Sequence, residues 1–207
     1  MLIDLKSKFL FLKKKISQRR NQDFRPKCEV CGNKKNELIF NKNGFKHVRC
    51  LKCKFIFVNP ILKDKVFKSF FFNEDSYNKV LKNKANVRLD NLKFKYGLQK
   101  INDKKKSKKI LDIGCAFGSF LDVARKEKWD VYASEINKDA VKILNKKKIP
   151  ILENPFKKNY YDAISMWLTF EHLSKPNLIL KNIYPSLKKN GKLLINVPNA
   201  NSLVALI

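Results

Sequence analysis

Between residues 108 and 197, short apolar runs alternate with segments whose apolar positions recur every three or four residues. "KILDIG" is followed by "GSFLDVARKEK" and "WDVYASE" by "NKDAVKILNKKK". A short "IPILE" comes next, then "YDAISMWL" followed by "KPNLILKNIYPSLKK", and "GKLLINV" closes the series. This alternation predicts five strands, mostly parallel, with helices on both faces of one sheet: a doubly wound α/β architecture. Asn137 is placed to cap the second helix. Ser174 is placed to cap the next, with Pro176 in its first turn, and Asn190-Gly191 to end it.

The earlier half has other rhythms. Residues 1–25 carry Leu2, Leu5, Phe9, Leu12 and Ile16 at helical spacing, with eight basic and two acidic residues on the remaining faces. That pattern predicts a basic amphipathic helix, which either packs on its own protein or lies on an anionic membrane surface. Residues 26–60 break into short β-like pieces, "ELIF", "FKHVRC" and "KFIFVNP", with turn residues at Gly32 and Asn43-Gly44. Residues 61–107 read as a basic, largely helical linker, with an aromatic cluster "FKSFFFNEDSY" and a solvated run "KKKSKK". Residues 108–207 form the α/β domain.

Charge adds a partner class without changing the fold. The 207 residues hold 46 Lys+Arg against 18 Asp+Glu, a net charge of +28. This suits phosphate-bearing partners, nucleic acid among them, although a coding bias towards Lys, Asn, Phe and Ile accounts for part of it. No apolar run is long enough to span a bilayer and no signal-peptide pattern opens the chain, so a cytoplasmic setting, with membrane contact at most peripheral, is the expectation.

Four of the five cysteines form two knuckles, Cys28-x2-Cys31 and Cys50-x2-Cys53. Two such pairs joined by a hairpin fit a tetrahedral four-thiolate zinc site, structural because four thiolates leave no open position. His47 is an alternative ligand. The fifth, Cys115, is either a reactive thiol or a small residue filling a tight turn, and the second reading is favoured.

The stretch "KILDIGCAFGSFLDV" ends a strand with Asp112, passes through Gly114, Cys115, Ala116 and Gly118, and enters a helix. In a doubly wound sheet, ligands collect at the carboxyl ends of the strands. Neither a dinucleotide fingerprint nor a phosphate loop fits, since residue 116 is Ala, residue 119 is Ser and no Gly-Lys-Ser/Thr follows. A leading carboxylate repels phosphate and attracts a cation, which points to an aminoacyl ligand. Twenty-three residues on, Glu135 ends the next strand, placed to accept ribose hydroxyls.

These residues resemble the first motif of the class I S-adenosylmethionine-dependent methyltransferases, Asp/Glu-x-Gly-x-Gly-x-Gly, with Ala116 in place of the central glycine. A further match is "YYDAISMWLTFEHLSKPNLILKNIYPSLKKNGKLLINVPN", in which Asn190 replaces the first glycine of the family's closing pair. The resemblance implies a Rossmann-like fold with S-adenosylmethionine as cofactor. Gly114, Cys115, Ala116 and Gly118 then cradle its methionine part, Asp112 holds its ammonium group, and Glu135 with Ile136 meets the ribose and its surroundings. Met166 and Trp167 border it, and Glu153 lies near the adenine. His172 is the candidate general base, with a structural role as the alternative.

"RCLKCKFIFVNP" and the aromatic stretch ending in Tyr77 are similar to the zinc-ribbon module fused to methyltransferases of sugars and cell-surface polysaccharide precursors. That similarity implies a sugar-nucleotide or glycan acceptor, with an aromatic near Tyr77 in the lid. The family continues past Pro198-Asn199 with a helix and two more strands, so a sheet lacking its last two strands, with an exposed apolar edge, is expected. Two alternatives stand beside the leading reading: methylation of RNA, against which the lack of a base-stacking motif counts, and a non-catalytic remnant that keeps zinc, with or without cofactor.

Overall fold

The computed structural model describes residues 21–42, 44–66, 84–101 and 108–199. The chain divides into two compact units, with the boundary between Glu74 and Asp75. The predicted helix over the first 20 residues, Tyr77, and the "KKKSKK" run up to residue 107 lie outside the described residues.

In the first unit, strands β2 (Asn36–Lys42), β3 (Phe45–Cys50) and β4 (Ile56–Val58) form an antiparallel sheet in that order. Strand β1 (Gln22–Asp23) pairs with β5 (Ile61–Leu62). Residues 22–25 are therefore not helical, although the periodicity of residues 1–25 predicts a helix that runs through them. The reason is Asn59, a buried side chain that imitates a backbone partner: its Oδ1 accepts from the Arg25 N–H at 2.9 Å and its Nδ2 donates to the Arg25 carbonyl at 3.1 Å. Val48 and Phe57 supply the small apolar core beside Cys28 and Cys50.

The second unit is the predicted α/β layer structure. Helix α1 (Lys84–Ile101) precedes β6 (Lys108–Ile113), α2 (Ser119–Lys126), β7 (Trp129–Ser134), α3 (Lys138–Lys146), β8 (Tyr161–Trp167), α4 (Pro176–Ser186) and β9 (Leu187–Asn196). The sheet order is β7-β6-β8-β9, all parallel. Strand residues alternate between two cores, as a pleat of period two requires. Ile110, Val131, Ala133 and Ala163 pack with Phe94 and Leu98 of α1, Phe120 and Leu121 of α2 and Leu144 of α3. Leu111, Ile164 and Met166 pack with Ile183 of α4 on the opposite face. Both faces are thus covered, which is why β6 and β8 read as nearly continuous apolar runs.

Three local expectations need correction. "IPILE" is a single bridge, Ala133 to Ile151, rather than a full strand. The third-layer helix begins at Pro176 with Lys175, not Ser174, in the capping position. It also stops at Ser186, four residues before Asn190-Gly191, which instead make a bulge within β9. The last-turn carbonyls of Pro185 and Ser186 are taken by the Asn159 and Tyr160 N–H groups at 2.8 and 3.0 Å, so the chain turns directly into the sheet. Asn137 caps α3 as expected, accepting from the Asp139 and Ala140 N–H groups.

Candidate functional site

Strand β6 has β7 on one side and β8 on the other, and the chain leaves β6 outward through β7 before returning to β8. The strand order therefore reverses at β6, and the crevice beyond its carboxyl end is where ligands bind in such sheets. Asp112 stands at that end, in register with Ala133 of β7 and Ser165 of β8. It is 2% exposed, and Ser165 Oγ donates to its Oδ1 at 2.8 Å. Burial pushes its carboxyl up to about 8. The Ser165 hydroxyl opposes that shift and the Glu135 charge adds to it.

Glu135 follows β7, and its carboxylate accepts three backbone N–H groups. Oε1 takes those of Ile136 and Asn137 at 2.7 and 2.8 Å, and Oε2 takes that of Ala116 at 2.8 Å. The acid thus clamps the turn after β6 to the turn after β7. Ile136 beside it is 63% exposed, an apolar surface at the strand tip.

The turn is braced from other directions as well. The Thr169 hydroxyl, beyond β8, shares its proton between the carbonyls of Gly114 and Trp167 at 3.3 and 3.1 Å. Lys147, after α3, donates to the Phe117 carbonyl at 2.7 Å and pairs with Asp122 of α2. Gly114, Ala116 and Gly118 all have positive φ, 70°, 48° and 75°. A Cβ on Gly114 would lie 2.5 Å from Thr169 Cγ2, and one on Gly118 would lie 2.7 Å from Leu144 Cδ2. In this structure protein side chains, rather than open ligand space, exclude a side chain at both glycines. Ala116 holds the left-handed conformation at a cost of about 1–2 kcal/mol, so it is a less innocent replacement for glycine than its size suggests.

Asp112, Gly114, Cys115, Ala116, Gly118, Glu135 and Ile136 thus come together at one strand-end site. Cys115 is buried in the core and burial pushes its thiol far above the usual range, the behaviour of a packing residue. Met166 and Trp167 end β8, and their side chains alternate into the two cores. Met166 is fully buried against α4, and Trp167 stacks edge-on against Phe94 at 4.9 Å and tilts over Phe120 at 5.1 Å. The Trp167 indole N–H is buried without a hydrogen-bond partner among the described residues. His172 is exposed at the end of a single turn, Phe170–His172, just past β8, in which Phe170 packs against the core. Glu153 is exposed after the Ile151 bridge. Sequence reading missed Ser165, Thr169 and Lys147. The available signal was a serine within the apolar run "DAISMW", since a polar residue at a buried strand position needs a partner.

The second candidate site is in the first unit. The four cysteine sulfurs lie within 4.8 Å of one another, with Cys28 and Cys53 3.6 Å apart and Cys31 and Cys50 3.5 Å apart. Tetrahedral zinc with bonds of about 2.3 Å places its sulfurs about 3.8 Å apart, so the donor set fits. The two knuckles repeat one geometry: the Gly32 N–H bonds the Cys28 carbonyl and the Lys54 N–H the Cys50 carbonyl, with φ of 73° and 62°. The Cys53 backbone N–H lowers the Cys50 thiol, whereas burial and the neighbouring cysteines raise the Cys53 thiol, so the first proton leaves the cluster from Cys50. His47 is not a ligand: it stacks on Phe40 at 4.3 Å and its Nδ1 meets the Phe45 carbonyl.

Residues 89–206 match the family model described as a methyltransferase domain. Among solved structures, a SAM dependent methyltransferase from Archaeoglobus fulgidus superposes with a TM-score of 0.54 at 22% identity, over 64% of this chain and 62% of that one. A SAM-dependent methyltransferase from Thermotoga maritima, described as a possible histamine N-methyltransferase, gives 0.52 at 20% identity over 69% and 65%. Phosphoethanolamine N-methyltransferase 2 of Haemonchus contortus, solved with S-adenosyl-L-methionine, gives 0.53 at 19% identity over 69% and 38%. The chain therefore spans under two thirds of the length of each of these structures. No curated protein matches it. The matched family model covers the sheet, the braced turn and both strand-end acids, and on that match the chain belongs to the methyltransferase domain family, with the α/β fold of S-adenosylmethionine-dependent enzymes.

Proposed function

We propose that this chain binds S-adenosylmethionine beyond the ends of β6 and β7 and passes its methyl group to a small acceptor. The observation that supports this reading is the pair of acids at adjacent strand tips: Glu135 clamps the turn after β6, and Asp112 lies buried at the end of β6 against Ser165. Asp112 has no cation paired with it among the described residues. A ligand with an ammonium and a sulfonium group supplies what that donor set lacks. Glu135 has used three of its roughly four acceptor sites on backbone N–H groups, which leaves it room for one ribose hydroxyl without disturbing the turn. Exposed Ile136 offers an apolar face to the base.

The bound cofactor supplies an electrophilic methyl group. The protein's part is to hold the acceptor in line with it, and His172, placed past β8, takes the proton when the acceptor is a hydroxyl. The acceptor class, a sugar nucleotide or glycan precursor, rests on the resemblance of the cysteine module to that of sugar methyltransferases. Zinc held by Cys28, Cys31, Cys50 and Cys53 serves that module as a structural staple.

Calorimetric titration with S-adenosylmethionine and S-adenosylhomocysteine tests the reading. Saturable binding of both is expected, weakened at least tenfold by Glu135→Ala. No binding by the unaltered chain, or wild-type affinity in that variant, refutes it.

A further inference from the structure

Asp112 is an unusual place to keep a carboxylate. It lies one residue before the end of β6, in register with Ala133 and Ser165 of the neighbouring strands and almost wholly buried, and its Oδ1 accepts from Ser165 Oγ at 2.8 Å; the same hydroxyl lies 3.4 Å from the Leu111 carbonyl. The groups around it come from several elements. Ser165 faces it from β8, the Glu135 carboxylate from beyond β7, and the protonated Cys115 thiol from the turn. Lys147, the cation that reaches this turn, is committed to Asp122 and the Phe117 carbonyl. Among the described residues the site thus holds two acids and two neutral donors, the Ser165 hydroxyl and the Cys115 thiol. A hydroxyl donating to a carboxylate favours its ionised form, whereas burial and the second acid favour the protonated one.

We propose that Ser165 is a positioning residue for cofactor uptake: by donating to Asp112 Oδ1 it fixes the carboxyl at the β6 tip and sets the pH range over which a ligand's ammonium group is accepted. The inference rests on the reading that S-adenosylmethionine binds at this site. Burial holds the Asp112 carboxyl up to about 8, so the ligand-free site carries a proton at neutral pH. When the ammonium arrives, that proton leaves for solvent and an ion pair remains. No bond in the ligand changes. Sequence pattern marks Ser165 as a polar residue in a buried strand but does not name its partner, which is 53 residues away.

The test is calorimetric titration of the full chain with S-adenosylhomocysteine, which has the same ammonium group and no transferable methyl. It runs from pH 6.5 to 9.5, each pH in two buffers of different ionisation enthalpy. The unaltered chain is expected to release close to one proton per ligand at pH 7. Ser165→Ala removes a hydrogen bond to the ionised carboxyl and moves the protein's contribution up by about one pH unit. Its affinity is then about tenfold weaker at pH 7 and within about twofold of the unaltered chain at pH 9.5. The ligand's amine titrates identically in both titrations, so their ratio isolates the protein. Ser165→Cys, a weaker donor of similar size, should shift the profile in the same direction by less. Asp112→Asn should abolish proton release.

A loss in Ser165→Ala that is equal at every pH marks a merely structural role and overturns the inference, as does binding by the unaltered chain without proton release. Either result leaves cofactor binding standing. Absence of binding by the unaltered chain at every pH overturns both.

Discussion

Replacing Gly118 with Ala should destabilise the α/β unit whether or not a ligand is present. Gly118 occupies the position before α2 with φ of 75°. Forcing a side chain into that conformation costs about 1–2 kcal/mol. The new Cβ would also lie 2.7 Å from Leu144 Cδ2 and 3.2 Å from Ile149 Cδ1, and both side chains are buried in the core with no solvent side to move into. Overpacking of this kind costs about 1–3 kcal/mol. The reduced freedom of the unfolded chain returns only about 0.4–1 kcal/mol. A net loss of about 1–4 kcal/mol, centred near 3, is therefore expected. Denaturant unfolding followed by circular dichroism measures it, as a lower midpoint with an unchanged slope. Gly118→Ala/Ile149→Val should recover part of the loss, because it trims the second of the two contacts. A single variant within 0.5 kcal/mol of the unaltered chain would show that this glycine is free of packing constraint and stands there for ligand approach alone.

Further outcomes follow from the buried acid and the cysteines. Asp112 titrates higher in the folded chain than in the unfolded one, so its contribution to stability is full below the ordinary carboxylate range and is lost as pH rises towards about 8. Asp112→Asn should therefore make the ligand-free chain more stable by a margin, on the order of a few kcal/mol, that grows between pH 4 and 8 and then levels; a margin constant with pH would contradict this. Elemental analysis should find one zinc per chain, lost in Cys50→Ser together with the amide dispersion of residues 26–58; unaltered spectra after metal loss would refute a structural metal.

The sheet was legible because parallel strands covered on both faces write themselves as short apolar runs between amphipathic helices. "KILDIG" and "YDAISMWL" are of this kind. The acids Asp112 and Glu135, the turn between them and the four cysteines were legible too, since each pairs a residue type with a fixed local spacing. What the spacing could not carry was long-range. Ser165, Thr169 and Lys147 reach the same turn from 30 to 55 residues away, and only the strand order brings them there. Met166 and Trp167 end β8, and the pleat sends their side chains to opposite cores. The end of α4 was misplaced for a similar reason. Asn159 and Tyr160, remote in sequence, take the carbonyls that a longer helix needs. The strand at Gln22–Asp23 depends on Asn59 in the same way.

The central claim is that a cationic nucleoside sits across the 114–118 turn between Asp112 and Glu135. A crystal structure of the chain with S-adenosylhomocysteine tests it most directly. The predicted result is a ribose hydroxyl within hydrogen-bond distance of a Glu135 oxygen and the amino group beside Asp112. A nucleoside bound elsewhere, with both carboxylates still engaged only by Ser165 and the backbone, would contradict it.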